Sequence, residues 1–123
     1  MRMKPKYRHV TVMSSNLIVR QFEQVVAQNY PDREFDLAQM AASMGMSERQ
    51  LQRKLRSITG HTPTEFVRTY RLSRSLEYLL AGASIRDTAA AVGFSSQAYF
   101  ASCFKAEYGR TPSDYRERRN ILI

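Results

Sequence analysis

With 123 residues the chain suffices for one compact domain or two very small ones, and 43% hydrophobic content lets it bury a core. Its formal charge of +8 points to a polyanionic partner, because a positive surface releases condensed counterions when it meets phosphates; charge kept for solubility is the plain alternative. The single cysteine, Cys103, excludes an internal disulfide and a multi-cysteine metal site and fits a reducing setting, and no apolar run approaches the ~18 residues that span a bilayer.

Residues 1–13 open with the basic run Met1 to His9, which no signal-type apolar stretch follows. They read as a leader or linker, or as a basic arm that touches DNA. The first helix is expected over Ser15 to Asn29, with Leu17, Ile18, Phe22, Val25 and Val26 at helical spacing, and Tyr30-Pro31-Asp32 breaks it.

An internal repeat follows. Asp36-Leu-Ala-Gln-Met-Ala-Ala-Ser-Met-Gly-Met-Ser47 lies over Ser84-Ile-Arg-Asp-Thr-Ala-Ala-Ala-Val-Gly-Phe-Ser95 at an offset of 48. After one inserted residue, Gly60-His-Thr-Pro-Thr-Glu-Phe66 lies over Gly109-Arg-Thr-Pro-Ser-Asp-Tyr115 at 49. Each half has the same physical logic. Asp36 or Ser84 caps a short helix, and the small Ala41 or Ala89 admits a second helix closely. Gly45 or Gly93 ends the first helix in the left-handed region that only glycine enters cheaply. Ser47 or Ser95 caps the next helix, and Gln50 completes a capping box in the first half. Helix, glycine turn, helix is the helix-turn-helix unit. Thr62-Pro63 and Thr111-Pro112 then each start a further helix.

The stretch from Thr62 to Leu80 reads as one long connecting helix with Phe66, Val67, Tyr70, Leu76, Leu79 and Leu80 as its apolar positions. At 1.5 Å per residue it is roughly 28 Å long, and Ala81-Gly82 stops it. The expected fold class is therefore all-α, two helix-turn-helix subdomains joined by a long linker helix. The expected boundaries are 1–13 leader or linker, 14–61 first subdomain, 62–82 linker helix, 83–119 second subdomain and 120–123 tail.

In the first unit the second helix, Glu48 to Thr59, buries Leu51, Leu55 and Ile58. Its other side carries Arg49, Gln52, Arg53 and Arg56 at i, i+3, i+4, i+7. Arginine bonds bidentately to guanine and glutamine to adenine in the major groove, while Lys54 at the flank suits a phosphate. A solvated charged face is the bland reading, but the position in a helix-turn-helix favours DNA. In the second unit the corresponding helix, Ser96 to Tyr108, turns Phe100, Phe104 and Cys103 inward, with Tyr99 beside them. It shows Gln97, Ala98, Ala101, Ser102 and Lys105 outward. This face should make fewer base contacts, with Lys105 suited to phosphate. Cys103 reads as a small buried hydrophobe.

The runs Met44-Gly-Met-Ser-Glu-Arg-Gln-Leu-Gln-Arg-Lys-Leu55, Gly60 to Arg68, Val92 to Phe100 and Phe104 to Arg116 resemble the AraC/XylS family over residues 16–118. The resemblance implies a seven-helix domain whose two recognition helices enter neighbouring major-groove segments. It implies base reading by Arg49, Gln52 and Arg53 in the first unit and by Ser96, Gln97 and Ser102 in the second. The family usually has arginine where this chain has Ser102. The first half also resembles the output domain of hybrid two-component regulators. The family places this module behind a ligand-sensing or dimerisation domain, so an upstream domain is expected, as are promoter DNA and RNA polymerase as partners. The expected setting is the bacterial cytoplasm, on the nucleoid, and the expected role is mostly activation.

No cofactor or metal is expected, and an enzyme is the remote reading. His9 and His61 lie in no nucleophile or metal-ligand pattern, and a role as alkyl acceptor would need an exposed reactive cysteine. A nonspecific architectural DNA protein is the closer rival; it needs the charge but not the Arg49/Gln52/Arg53 stripe.

Overall fold

The computed structural model describes residues 16–122, with the side chains of 119–122 left aside; the expectations for 1–13, Ser15 and the 120–123 tail fall outside that description. Seven α-helices and no strands make up the described residues. They are α1 (Leu17–Asn29), α2 (Leu37–Met44), α3 (Glu48–Thr59), α4 (Pro63–Leu80), α5 (Ile85–Ala91), α6 (Gln97–Tyr108) and α7 (Pro112–Leu122). The all-α class with two helix-turn-helix units holds.

Local capping chemistry sets most of the boundaries. The Asn16 carboxamide accepts the Ile18 N–H at 2.9 Å and starts α1. Asp36 and Gln39 form a full capping box at 3.0 and 3.1 Å, as do Ser47 and Gln50, and Thr62 and Glu65. Each box satisfies two backbone donors that a helix start leaves orphaned. Ser84 and Thr111 accept from Asp87 and Asp114 in the same way. Gly45 closes α2 at φ 68 and Gly93 follows α5 at φ 94, both left-handed as the repeat requires.

One cap differs from expectation. Ser96, not Ser95, caps α6, its hydroxyl accepting the Tyr99 N–H at 3.0 Å. The residue inserted between the two halves therefore sits in the second turn. From the cap onward the repeat runs at 49, with Ser47 over Ser96 and two helices of 12 residues each.

The chain divides into two compact units: the residues up to Asn29 with Phe35–Arg68, and Tyr30–Glu34 with everything from Thr69 onward. In unit 1, α1 packs on α2 and α2 on α3. Val19, Phe22, Val26, Phe35, Met40, Ala41, Leu51, Leu55, Phe66 and Val67 are buried there, with Phe22 meeting Phe66 edge-on at 5.1 Å. Removing each of these side chains larger than alanine from water contributes about 1.5–3 kcal/mol. In unit 2, α5 packs on α6 and α6 on α7. Its core is a chain of rings: Phe94 to Phe100 at 5.2 Å, Phe100 to Phe104 at 5.7 Å, and Phe104 to Tyr108 and Tyr115 at 4.7 and 5.8 Å. Leu72, Leu79, Ala89 and Val92 complete it, and Cys103 lies half-buried against it as a free thiol.

Four apolar assignments along the sequence shift. Leu17, expected on the apolar stripe of α1, is 68% exposed in the first turn, and Val19 is fully buried instead. Leu80, expected in the core, is 47% exposed because α4 ends there, and Leu72 takes an inner place instead. Ile58 is half-buried, and the next residue, Thr59, is the buried one. Its hydroxyl donates to the Leu55 carbonyl at 2.8 Å and accepts the His61 N–H at 3.0 Å, so burial leaves no polar group unsatisfied. Tyr99 is 48% exposed yet keeps its ring 5.7 Å from Phe94.

Candidate nucleic-acid interface

Helix α3 is anchored before it is functional. Leu51 and Leu55, four residues apart, are fully buried and fix its rotation about its own axis. That rotation leaves Arg49, Gln52, Arg53, Lys54 and Arg56 exposed. Arg49, Gln52, Arg53 and Arg56 line one shallow open depression together with Thr62, and Gln50, Arg53 and Lys54 line a second beside it. The structure thus gathers Arg49, Gln52, Arg53 and Arg56 along one helix face, with Lys54 at its flank. Among the described residues no acidic side chain pairs with Arg49, Arg53, Lys54 or Arg56, so their charge is not internally neutralised. Thr62 is the lining residue the sequence reading left out as a contact. Its cap position was legible, but its closeness to the arginines depends on the turn geometry after Gly60.

That turn is held by a small polar cluster. His61 Nδ1 lies 3.5 Å from Glu65 Oε1. The Glu65 carboxyl sits below the usual carboxylate range, first because the Thr62 N–H bonds to it and then through His61, against some opposing burial. The acid that closes the box on α4 thus joins Thr62 and His61 in one local cluster at the end of α3, beside the arginine-bearing face.

Helix α6 repeats the scaffold and replaces the chemistry. Phe100 and Phe104 are fully buried where Leu51 and Leu55 stand in α3. The face equivalent to Arg49, Gln52, Arg53 and Arg56 is Ala98, Ala101, Ser102 and Lys105 in the register of 49. Gln97, Ala98, Ser102 and Lys105 are exposed and Ala101 is half-exposed. Ser96 stands at the N-terminus of α6, where its hydroxyl oxygen accepts one bond as the helix cap and keeps its O–H proton and one lone pair for an outside partner.

Among the described residues no three His, Cys, Asp or Glu side chains come together to hold a metal ion, and no helix is long and apolar enough to cross a membrane.

Comparison with known proteins decides the family. A family model described as a helix-turn-helix domain matches residues 40–118, more than half of the chain. The chain belongs to the AraC/XylS family of DNA-binding helix-turn-helix domains. Regulatory protein SoxS of Salmonella typhimurium is 36% identical over 88 residues, which cover 71% of this chain and 82% of that protein. Histidine kinase P4 of Formosa agariphila is 30% identical over 129 residues, 96% of this chain but 9% of the kinase. This AraC/XylS module therefore spans less than a tenth of that relative's length, and about a third of the transcriptional activator RhaS of Mannheimia succiniciproducens. Among solved structures, the C-terminal domain of the response regulator AraT from Geobacillus stearothermophilus superposes with a TM-score of 0.77 at 26% identity, covering 83% of this chain and 85% of that one. The DNA-binding domain of AdpA, solved in complex with a target DNA, gives 0.71 at 28% identity, covering 83% and 95%.

Proposed function

We propose that this domain reads double-stranded DNA by sequence and regulates transcription from the site it occupies, with α3 as the principal reading helix. Arg49 and Arg53 present bidentate forks suited to guanine O6 and N7, and Gln52 presents the amide suited to adenine N6 and N7. Arg56 continues that groove-facing stripe, Lys54 at the flank meets a phosphate, as Lys105 does in the second unit, and Gln97, Ser102 and the Ser96 hydroxyl supply the weaker base contacts there. The observation that carries this reading is the row of exposed arginines without acidic partners on the second helix of a helix-turn-helix. Two heads in one chain predict an asymmetric site bound by a monomer rather than a palindrome bound by a pair.

In the full regulator a sensing or dimerisation domain precedes this module. The likeness to a histidine kinase and to a response regulator's C-terminal domain supports this. Activation through contact with RNA polymerase, in the bacterial cytoplasm and on the nucleoid, completes the reading.

Selection of bound sequences from a random DNA pool, followed by a salt titration on the winner, tests it. With six to ten phosphates contacted, affinity falls by about a thousandfold or more between roughly 50 and 200 mM salt. Enrichment of a defined site with that slope supports the reading. A steep slope without any enriched sequence supports an architectural role instead, and a flat response removes DNA as the partner.

A further inference from the structure

Unit 2 is not assembled from the C-terminal residues alone. Tyr30–Glu34, the segment leaving α1, belongs to it, and one side chain, Arg71, bonds its backbone twice. Arg71, near the middle of α4, donates from Nε to the Tyr30 carbonyl at 2.9 Å and from Nη2 to the Asp32 carbonyl at 2.9 Å. The Tyr30 ring meets Tyr70 edge-on at 5.2 Å and packs against the aromatic core. Burial draws the Arg71 guanidinium below the usual arginine range, with Asp32 and Tyr99 opposing.

The far side of this joint is the turn of the second helix-turn-helix. Gly93 is buried at φ 94. A Cβ there would overlap the Tyr30 carbonyl oxygen and come within 2.8 Å of Arg71 Nε. Tyr99, in the first turn of α6, keeps its ring 5.7 Å from that of Phe94, the residue after this glycine. Guanidinium, distant backbone, glycine turn and helix start therefore share one place. Among the described residues the first unit shows no such joint: a Cβ on Gly45 would meet nothing within 4 Å. Its turn is held by local caps.

We propose that Arg71 is a positioning residue for the second reading head. By clamping Tyr30–Glu34 against the Gly93 turn it fixes where α6 starts, and so where Gln97, Ser102 and Lys105 stand. Contacts to base edges need placement within about 0.5 Å, which a turn free to shift cannot give. Arg71 acts through the turn and touches no DNA itself. The inference rests on the DNA-reading function above.

The test is footprinting of the intact chain on its selected site, comparing wild type, Arg71→Gln and Arg71→Lys well below each protein's melting midpoint. Wild type protects the segments under both heads. Arg71→Gln keeps protection under α3, loses it under α6, and binds the whole site about tenfold or more weakly, on the order of losing one base-pair contact set. Arg71→Lys, which keeps the charge but reaches the two carbonyls from one nitrogen instead of two, falls between them. A second readout separates positioning from mere stability: Ser102→Arg adds a guanine preference in wild type and none in the Arg71→Gln background. If Arg71→Gln fails to fold, the same split of protection is read in Arg71→Lys. A lowered melting temperature with both segments protected in wild-type ratio overturns the inference and leaves the DNA reading intact. A wild type that protects no defined sequence overturns both.

Discussion

The two helix-turn-helix units share a backbone plan and differ in where their chemistry lies. Unit 1 has a mostly aliphatic core and a reading helix with Arg49, Gln52, Arg53 and Arg56 on its open side. Unit 2 has a core of linked aromatic rings and a reading helix whose equivalent face is Ala98, Ala101, Ser102 and Lys105. Both recognition helices are 12 residues long, begin at a serine cap and end at a left-handed glycine. The fold is thus specified by caps, turns and buried positions that both halves keep. The exposed face is free to change, because surface substitutions away from such features shift stability by only about 0.5 kcal/mol. Specificity can migrate into one head while the other keeps the scaffold and binds with less discrimination.

The sharpest way to break this comparison is at the turns. Gly93→Ala meets both left-handed strain and the Tyr30 carbonyl, whereas Gly45→Ala meets strain alone. We expect a loss of about 3–5 kcal/mol for Gly93→Ala and about 1–2 for Gly45→Ala in urea denaturation. Equal losses would mean that the two turns are supported alike. The next effect lies in binding. Arg53→Ala should cost about 1–3 kcal/mol on the selected site and relax one base pair, while Ser102→Ala at the equivalent position should cost under about 0.5. Titrations on matched and single-substituted sites measure both, and a Ser102→Ala loss as large as that of Arg53→Ala would end the idea of unequal heads. The smallest effect sharpens the contrast between the cores. Thr88 is fully buried with no partner for its hydroxyl, where the repeat places Met40 in unit 1. Thr88→Val removes that unsatisfied group and should raise stability by about 1 kcal/mol, seen as a higher denaturation midpoint without loss of DNA binding.

What could be read from the sequence was what local chemistry decides. The limits of α3 followed from Ser47 and Gly60, and its outward arginines from the spacing of Leu51 and Leu55. The Asp36–Gln39 box had the same local signature as Ser47–Gln50 and went unread. Ser95 and Ser96 are chemically equal caps, and only the placement of the inserted residue chooses between them. The Arg71 joint had no local signal, since its two acceptors lie 41 and 39 residues away and are backbone carbonyls that any sequence supplies. Thr62 entered the lining of the α3 depression for a similar reason: its cap role is local, but its neighbours depend on a turn closed in three dimensions. Leu80 misled because helical spacing continues to the last residue of a helix, although the core beneath it has already ended.

The discontinuous make-up of unit 2 has a consequence for biosynthesis. Tyr30–Glu34 leaves the ribosome before most of unit 1, but its socket at Gly93 is made about sixty residues later, which at about 5–20 residues per second is a wait of roughly 3–12 s. Arg71 emerges in between and has the two carbonyls to grip before the glycine turn exists. Every residue of unit 1 has by then been translated, so the arginine-bearing head can close first and the second head completes itself on a strand of chain already waiting. Nascent chains arrested once Leu80 has cleared the ribosome should accordingly show a protease-resistant first unit, with Tyr30–Glu34 more open to cleavage than in the complete chain.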